Sequence, residues 1–132
     1  MLSAIDKMKI VTFDFDDTLS TKPVQRYAKK LIDEGYNVMI VTSRIEDKLK
    51  HLYPFSKSNA DLYSVAKKLG ISKENIKFTN KQSKSIKLPS YKSSVHLEND
   101  AKELMDIRGT KVKGIDVTQP GWEERADKAI KL

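Results

Sequence analysis

The chain has 132 residues, 39% hydrophobic and 33% charged, with a net charge of +7 and no cysteine. That length suits one domain, residues 1–132, burying about two-thirds of its unfolded surface in a single core. The composition excludes a disordered chain, and the absence of thiols excludes disulfides and thiolate metal sites.

The elements follow one another in strand–helix alternation. The opening MLSAIDKMK has no leader-like apolar run, and residues 9–15 read as a buried strand with a β-branched and aromatic bias. Thr21 with Pro23 opens a helix that places Val24, Tyr27, Ala28, Leu31 and Ile32 on one face and stops at Gly35. Val38 to Val41 is a second buried strand. Ser58 or Asn59 caps a helix carrying Leu62, Val65, Ala66 and Leu69, ended by Gly70. Ile76 to Phe78 is a weak third strand and Val95 to Leu97 a fourth, followed by a helix from Ala101 to Ile107. Val112 to Val117 is a fifth strand, and the last helix sets Trp122, Ala126, Ala129 and Ile130 on one stripe. Nowhere do about 18 apolar residues run together, so a soluble cytoplasmic protein without a membrane span is expected.

This alternation predicts an α/β fold: a three-layer, doubly wound, Rossmann-like and mostly parallel sheet with helices on both faces. Ligands of such sheets bind beyond the carboxyl ends of the strands. The residues gathered there carry chemistry. The first strand runs into Asp14, Asp16 and Asp17, the second into Thr42, Ser43 and Arg44, and the fourth into Glu98, Asn99 and Asp100. Clustered carboxylates repel one another unless something positive joins them, and a helix cap needs one such residue, not three. Oxygen ligands without Cys suit a hard cation such as Mg²⁺. Between Asn75 and Leu97 there is no acidic residue, whereas Lys77, Lys81, Lys84, Lys87 and Lys92 all fall there, which favours a phosphorylated or polyanionic partner. An Asp attacking phosphorus would form an aspartyl-phosphate and split hydrolysis into two easier steps. Only four of the basic residues are Arg, and no aromatic-rich nucleic-acid motif accompanies them. His51 and His96 read as structural.

Asp14-Phe15-Asp16-Asp17-Thr18 after a strand, VMIVT ending at Thr42, a lysine ahead of the fourth strand and VHLEND closing it together resemble the haloacid dehalogenase-like phosphohydrolases. The resemblance spans essentially the whole chain. It implies Asp14 as nucleophile and metal ligand, and Asp16 as general acid/base whose main-chain carbonyl also reaches the metal. It implies Thr42 as a phosphoryl hydrogen-bond donor and Lys84, or else Lys81, as the charge-neutralising lysine. Thr18, Ser43, Arg44 and Lys81 complete the expected substrate-binding set, and Glu98, Asn99 and Asp100 the Mg²⁺ shell. The family's acidic pair usually presents Asp second, where this chain has Asn99. An amide oxygen ligates Mg²⁺ less well, leaving Asp100 or Glu98 to take over. No large cap fits between Thr18 and the first helix or between Ser43 and Ile76. Within the resemblance, an uncapped site implies a bulky substrate, such as a nucleotide or nucleic-acid-end phosphate. The alternative expectation is a catalytically weak member that binds nucleic acid or a phosphorylated partner through its lysines. A phosphoacceptor receiver domain also pairs Asp residues after its first strand, but there the accepting Asp follows a later strand.

Overall fold

The computed structural model describes residues 9–131; residues 1–8, read above for a leader, and residue 132 lie outside the described residues. Five strands, β1 (Ile10–Phe13), β2 (Asn37–Thr42), β3 (Ile76–Phe78), β4 (Ser93–Glu98) and β5 (Lys113–Asp116), form one wholly parallel sheet in the order β3-β2-β1-β4-β5. Helices α1 (Lys22–Asp33), α2 (Ala60–Leu69), α3 (Lys84–Lys87), α4 (Ala101–Ile107) and α5 (Trp122–Lys131) join or follow the strands. No helix among the described residues is long and apolar enough to cross a membrane.

Side-chain alternation explains the layering. Val11 and Phe13 of β1 face Tyr27, Leu31, Leu62, Ala126 and Ile130, so α1, α2 and α5 cover that face with the larger core. Val41 of β2 looks the other way, into a smaller cluster with Leu88 and Ile107 at α3 and α4. Parallel strands buried on both faces have to be apolar on both, as β2 is from Val38 to Val41. The helices stop where left-handed backbone is needed: Gly70 ends α2 at φ 83°, and Ile71 N–H closes the turn on the Ala66 carbonyl at 2.8 Å.

Two features position the functional edge. The chain continues from β1 to β2 on one side, while β4 lies on the other side of β1, so the strand order reverses between β1 and β4 and opens a crevice there. A receiver domain has the order 2-1-3-4-5, with β1 between the second and third strands, and this sheet does not. The second feature is the wide turn Phe15–Leu19, which the periodicity did not predict. The amides of Leu19 and Ser20 bond five residues back, to the carbonyls of Asp14 (3.1 Å) and Phe15 (2.9 Å). Asp17 sits at φ 58°, a conformation Asp tolerates better than most residues, and the turn brings Thr18 back over Asp14.

Candidate functional site

At the carboxyl end of β1, Asp14 is buried and its amide is fixed by the Leu97 carbonyl at 2.9 Å. Its two oxygens have different partners. Oδ1 accepts from Lys84 Nζ at 2.7 Å, and Oδ2 accepts from Thr18 Oγ1 at 3.1 Å. Lys84 opens the short helix α3, is only 2% exposed, and also donates to Glu98 Oε1 at 2.7 Å. Of the two lysines left open by the sequence, Lys84 is the one beside Asp14.

Below this lies a relay that sequence reading missed. Thr12, His96 and Glu98 project on one sheet face, since Thr12 pairs with His96 and Glu98 is two residues on. Glu98 can only accept, so His96 donates Nε2–H to Glu98 Oε1 at 2.9 Å, and its Nδ1 accepts from Thr12 Oγ1 at 2.7 Å. Thr12 in turn meets Ser93 Oγ at 2.8 Å. Full burial pushes His96 below its ordinary value, so it is a neutral holder of Glu98. The legible signal was polar residues at period two within an apolar strand.

One ammonium therefore serves two buried carboxylates. Burial alone would raise Glu98, but the His96 and Lys84 hydrogen bonds hold it well below the usual range. Burial would lower Lys84, and the two carboxylates more than offset that. The uncompensated negative charge falls on Asp14, which burial and the neighbouring Glu98 charge push up to about 7 despite Lys84.

The third group is Asn99. One atom of its amide lies 2.7 Å from Asp14 Oδ2, 3.0 Å from the Asp16 carbonyl oxygen and 3.0 Å from Thr18 Oγ1. With the amide oxygen there, three oxygens converge and only Thr18 donates. Turned by half a rotation, the Asn99 NH₂ faces all three with its two N–H donors, the orientation the surrounding acceptors favour when no cation is present. Cis ligands of an octahedral Mg²⁺, at about 2.0–2.1 Å from the ion, stand about 2.9 Å apart, and the distances from the Asn99 atom match that spacing when its oxygen faces inward. It is a sparse set. Among the described residues no three His, Cys, Asp or Glu side chains gather as a metal site.

The reason is that the remaining carboxylates expected in the metal shell are committed elsewhere. Glu98 is 1% exposed and bound to Lys84 and His96. Asp100 caps α4, accepting from the amides of Lys102 (2.8 Å) and Glu103 (3.1 Å). The Asp16 carboxylate turns away to Arg44, leaving only its carbonyl at the site. Arg44, expected to meet substrate, spends all five N–H groups: two on Asp16 (2.7 and 3.0 Å), two on Asp61 (2.7 and 3.0 Å) and one on the Ser58 carbonyl (3.0 Å). These bonds hold Asp16 and Asp61 below the ordinary carboxylate range. Asp16 in this position is ionised and cannot give a proton; Lys57 Nζ, 3.4 Å away, adds to that.

Thr42 ends β2 next to β1, and Ser43 follows it. Thr42 Oγ1 is buried and accepts from the Arg44 amide at 3.3 Å, and the Ser43 carbonyl accepts from Lys81 N at 2.8 Å. Lys81 itself is exposed, away from the Asp14–Lys84 pair. Asn59 stands at the N-cap of α2 without a side-chain cap bond, its amide donating to the Ile45 carbonyl at 3.0 Å and to Asp47 at 2.9 Å, while Ser58 Oγ accepts from the Ala60 amide at 3.2 Å.

Compared with family models, with curated proteins and with solved structures, the chain finds no match.

Proposed function

We propose that this chain is a Mg²⁺-dependent phosphomonoesterase of the haloacid dehalogenase-like type, working through an aspartyl-phosphate. The observation that carries the reading is Asp14. It is a buried carboxylate at the switch point of a parallel sheet, with one oxygen on a buried lysine and the other in a ring of hard donors. A fold gains nothing from a carboxylate whose charge is left partly uncompensated, and a phosphoryl-transfer site does.

Asp14 with the Asp16 carbonyl and the Asn99 amide oxygen would hold the cation, which supplies charge to draw Asp14 into its ionised form and to polarise the phosphoryl oxygens. The chain's own residues do the rest. An Asp14 oxygen attacks phosphorus, a P–O(Asp14) bond forms, and the P–O bond to the leaving group breaks. Lys84 stays protonated and opposes the charge on Asp14 and the phosphoryl group. Thr42 and Ser43, at the end of the neighbouring strand, offer hydroxyl donors to the phosphoryl oxygens. Asp16, once released from Arg44 and protonated, gives its proton to the leaving oxygen. As a carboxylate it then takes one from water, which attacks phosphorus and returns Asp14 to a free carboxylate.

A second reading is favoured by the Asn99 amide, whose NH₂ can satisfy Asp14 and the Asp16 carbonyl without any cation. In that reading the chain binds a phosphorylated partner and turns it over weakly. Phosphate release from an aryl phosphate, titrated with Mg²⁺ and compared with Asp14→Asn, separates the two. Release that saturates with Mg²⁺ and drops about 10³-fold or more in the variant supports the phosphomonoesterase. Release that is absent, or indifferent to both, sinks it.

A further inference from the structure

An open groove of about 560 Å³ lies in the connection from β2 to α2, walled by Leu52, Tyr53 and Phe55 and rimmed by Lys57 and Lys81. Phe55 is 100% exposed and Leu52 63%. Scattered exposed apolar residues need no explanation, but three within four positions make a patch that serves no core. The groove borders the Arg44–Asp16 cluster and the end of β2, beside the candidate site. Lys57 Nζ stands 3.4 Å from the Asp16 carboxylate, and Lys81 is tied to the end of β2 through its amide on the Ser43 carbonyl, 2.8 Å. Lys81 also sits in left-handed backbone (φ 72°), as does Asn80 before it (φ 53°). Such backbone is costly for residues other than glycine. It is held because the Asn80 amide bonds the Arg44 carbonyl at 3.3 Å and its Oδ1 accepts from Glu46 N at 2.9 Å. Among the described residues no acidic side chain lines the groove.

Charge and shape select the occupant. Two exposed aromatic rings beside two ammonium groups match the bases and phosphates of a single strand, since any base offers a face to stack and lysine meets phosphate as a point charge. A phosphopeptide would call for an Arg fork, and all five donors of Arg44, the arginine beside the groove, are taken. We propose that this groove seats the terminal nucleotides of a single-stranded nucleic acid, bases on Tyr53 and Phe55 and flanking phosphates on Lys57 and Lys81, presenting the end phosphate to Asp14. The last clause rests on the phosphomonoesterase reading; the seating does not.

Binding of a fluorescent, unphosphorylated oligothymidylate to the full chain, followed by anisotropy, tests the seating without requiring turnover. The expected result is saturable binding that Phe55→Ala and Tyr53→Ala each weaken about tenfold and Tyr53→Phe preserves, with melting curves unchanged. Lys81→Ala should lower the salt dependence by about one phosphate contact, and a blunt duplex of the same sequence should compete poorly. Absent binding, equal affinity in Phe55→Ala, or preference for a phosphopeptide each overturns the proposal. So does a chain that sediments as a dimer and becomes a monomer on Phe55→Ala, because the groove would then be covered by a second copy. Oligonucleotide binding without phosphatase activity would leave the seating standing and remove the catalytic reading alone.

Discussion

Two clusters in this molecule place one cation between two carboxylates, and they behave in opposite ways. Lys84 joins Asp14 and Glu98 in the interior, and Arg44 joins Asp16 and Asp61 near the surface. The Asp16 and Asp61 side chains are 42% and 51% exposed, so water screens them, and the guanidinium fork with the nearby Lys57 ammonium holds both carboxylates low. Asp14 and Glu98 have no such solvent, and burial together with the Glu98 charge pushes Asp14 up to about 7. A cation between two carboxylates is a clamp where water and a second cation reach it, and an unbalanced centre where neither does.

Removing the cations should break the comparison most visibly. Lys84→Met leaves two buried carboxylates facing each other and should cost about 3–5 kcal/mol, read as a lower urea midpoint, with loss of any phosphate release. Arg44→Lys keeps the charge but not the fork, and between half-exposed partners should cost about 1 kcal/mol.

Acid sharpens the contrast next. Asp61 has a folded-state value of about 2, below its ordinary 3.8. Its stabilising contribution is therefore complete above about pH 4 and is lost as pH falls from there toward 2. Thermal melts across that window should show an acid limb that Arg44→Lys flattens.

Asp14→Asn removes the surplus charge while Lys84 keeps Glu98. In metal-free buffer its melting temperature should match or exceed the parent's. Mg²⁺ at about ten times its dissociation constant should raise the parent's melting temperature by roughly 3–5 °C, reversibly with EDTA, and leave the variant unmoved. A parent indifferent to millimolar Mg²⁺ would tell against a cation at this edge.

The smallest effects separate Asn99 from Asp100. Asn99→Asp should move the Mg²⁺ midpoint to lower concentration, with a gain that fades at saturation. Asp100→Asn should leave that midpoint alone, because Asp100 caps α4 and Asn is a comparable cap; Asp100→Ala should cost about 1 kcal/mol of stability in urea.

Much of the fold was legible because its elements carry strong periodicity. The third strand and the helix Ala101–Ile107 lie where the apolar runs put them, and the parallel sheet follows from the alternation. The turn Phe15–Leu19 and the one-turn helix α3 were not legible, since bonds five residues back and a four-residue helix leave no repeat in side-chain type. At the site, position along a strand was legible and side-chain direction was not. The first strand was read through residue 15, but the chain leaves it after Phe13, so the Asp16 carboxylate swings to Arg44 while its carbonyl stays. Glu98 is the last residue of β4 and faces α3, sharing that face with His96 two residues before. The pairing of Arg44 with Asp61, seventeen residues apart, leaves no local trace.

The sheet's margins explain part of the chain's basic character. The outermost strands are its shortest apart from β1: β3 has three residues and β5 four, and each carries a lysine, Lys77 and Lys113. A bare strand margin invites another chain to extend the sheet, and a short margin bearing a half-buried or exposed lysine disfavours that growth. Part of the +7 charge thus keeps one molecule from adding to the next in a crowded solution, a task unrelated to any phosphate.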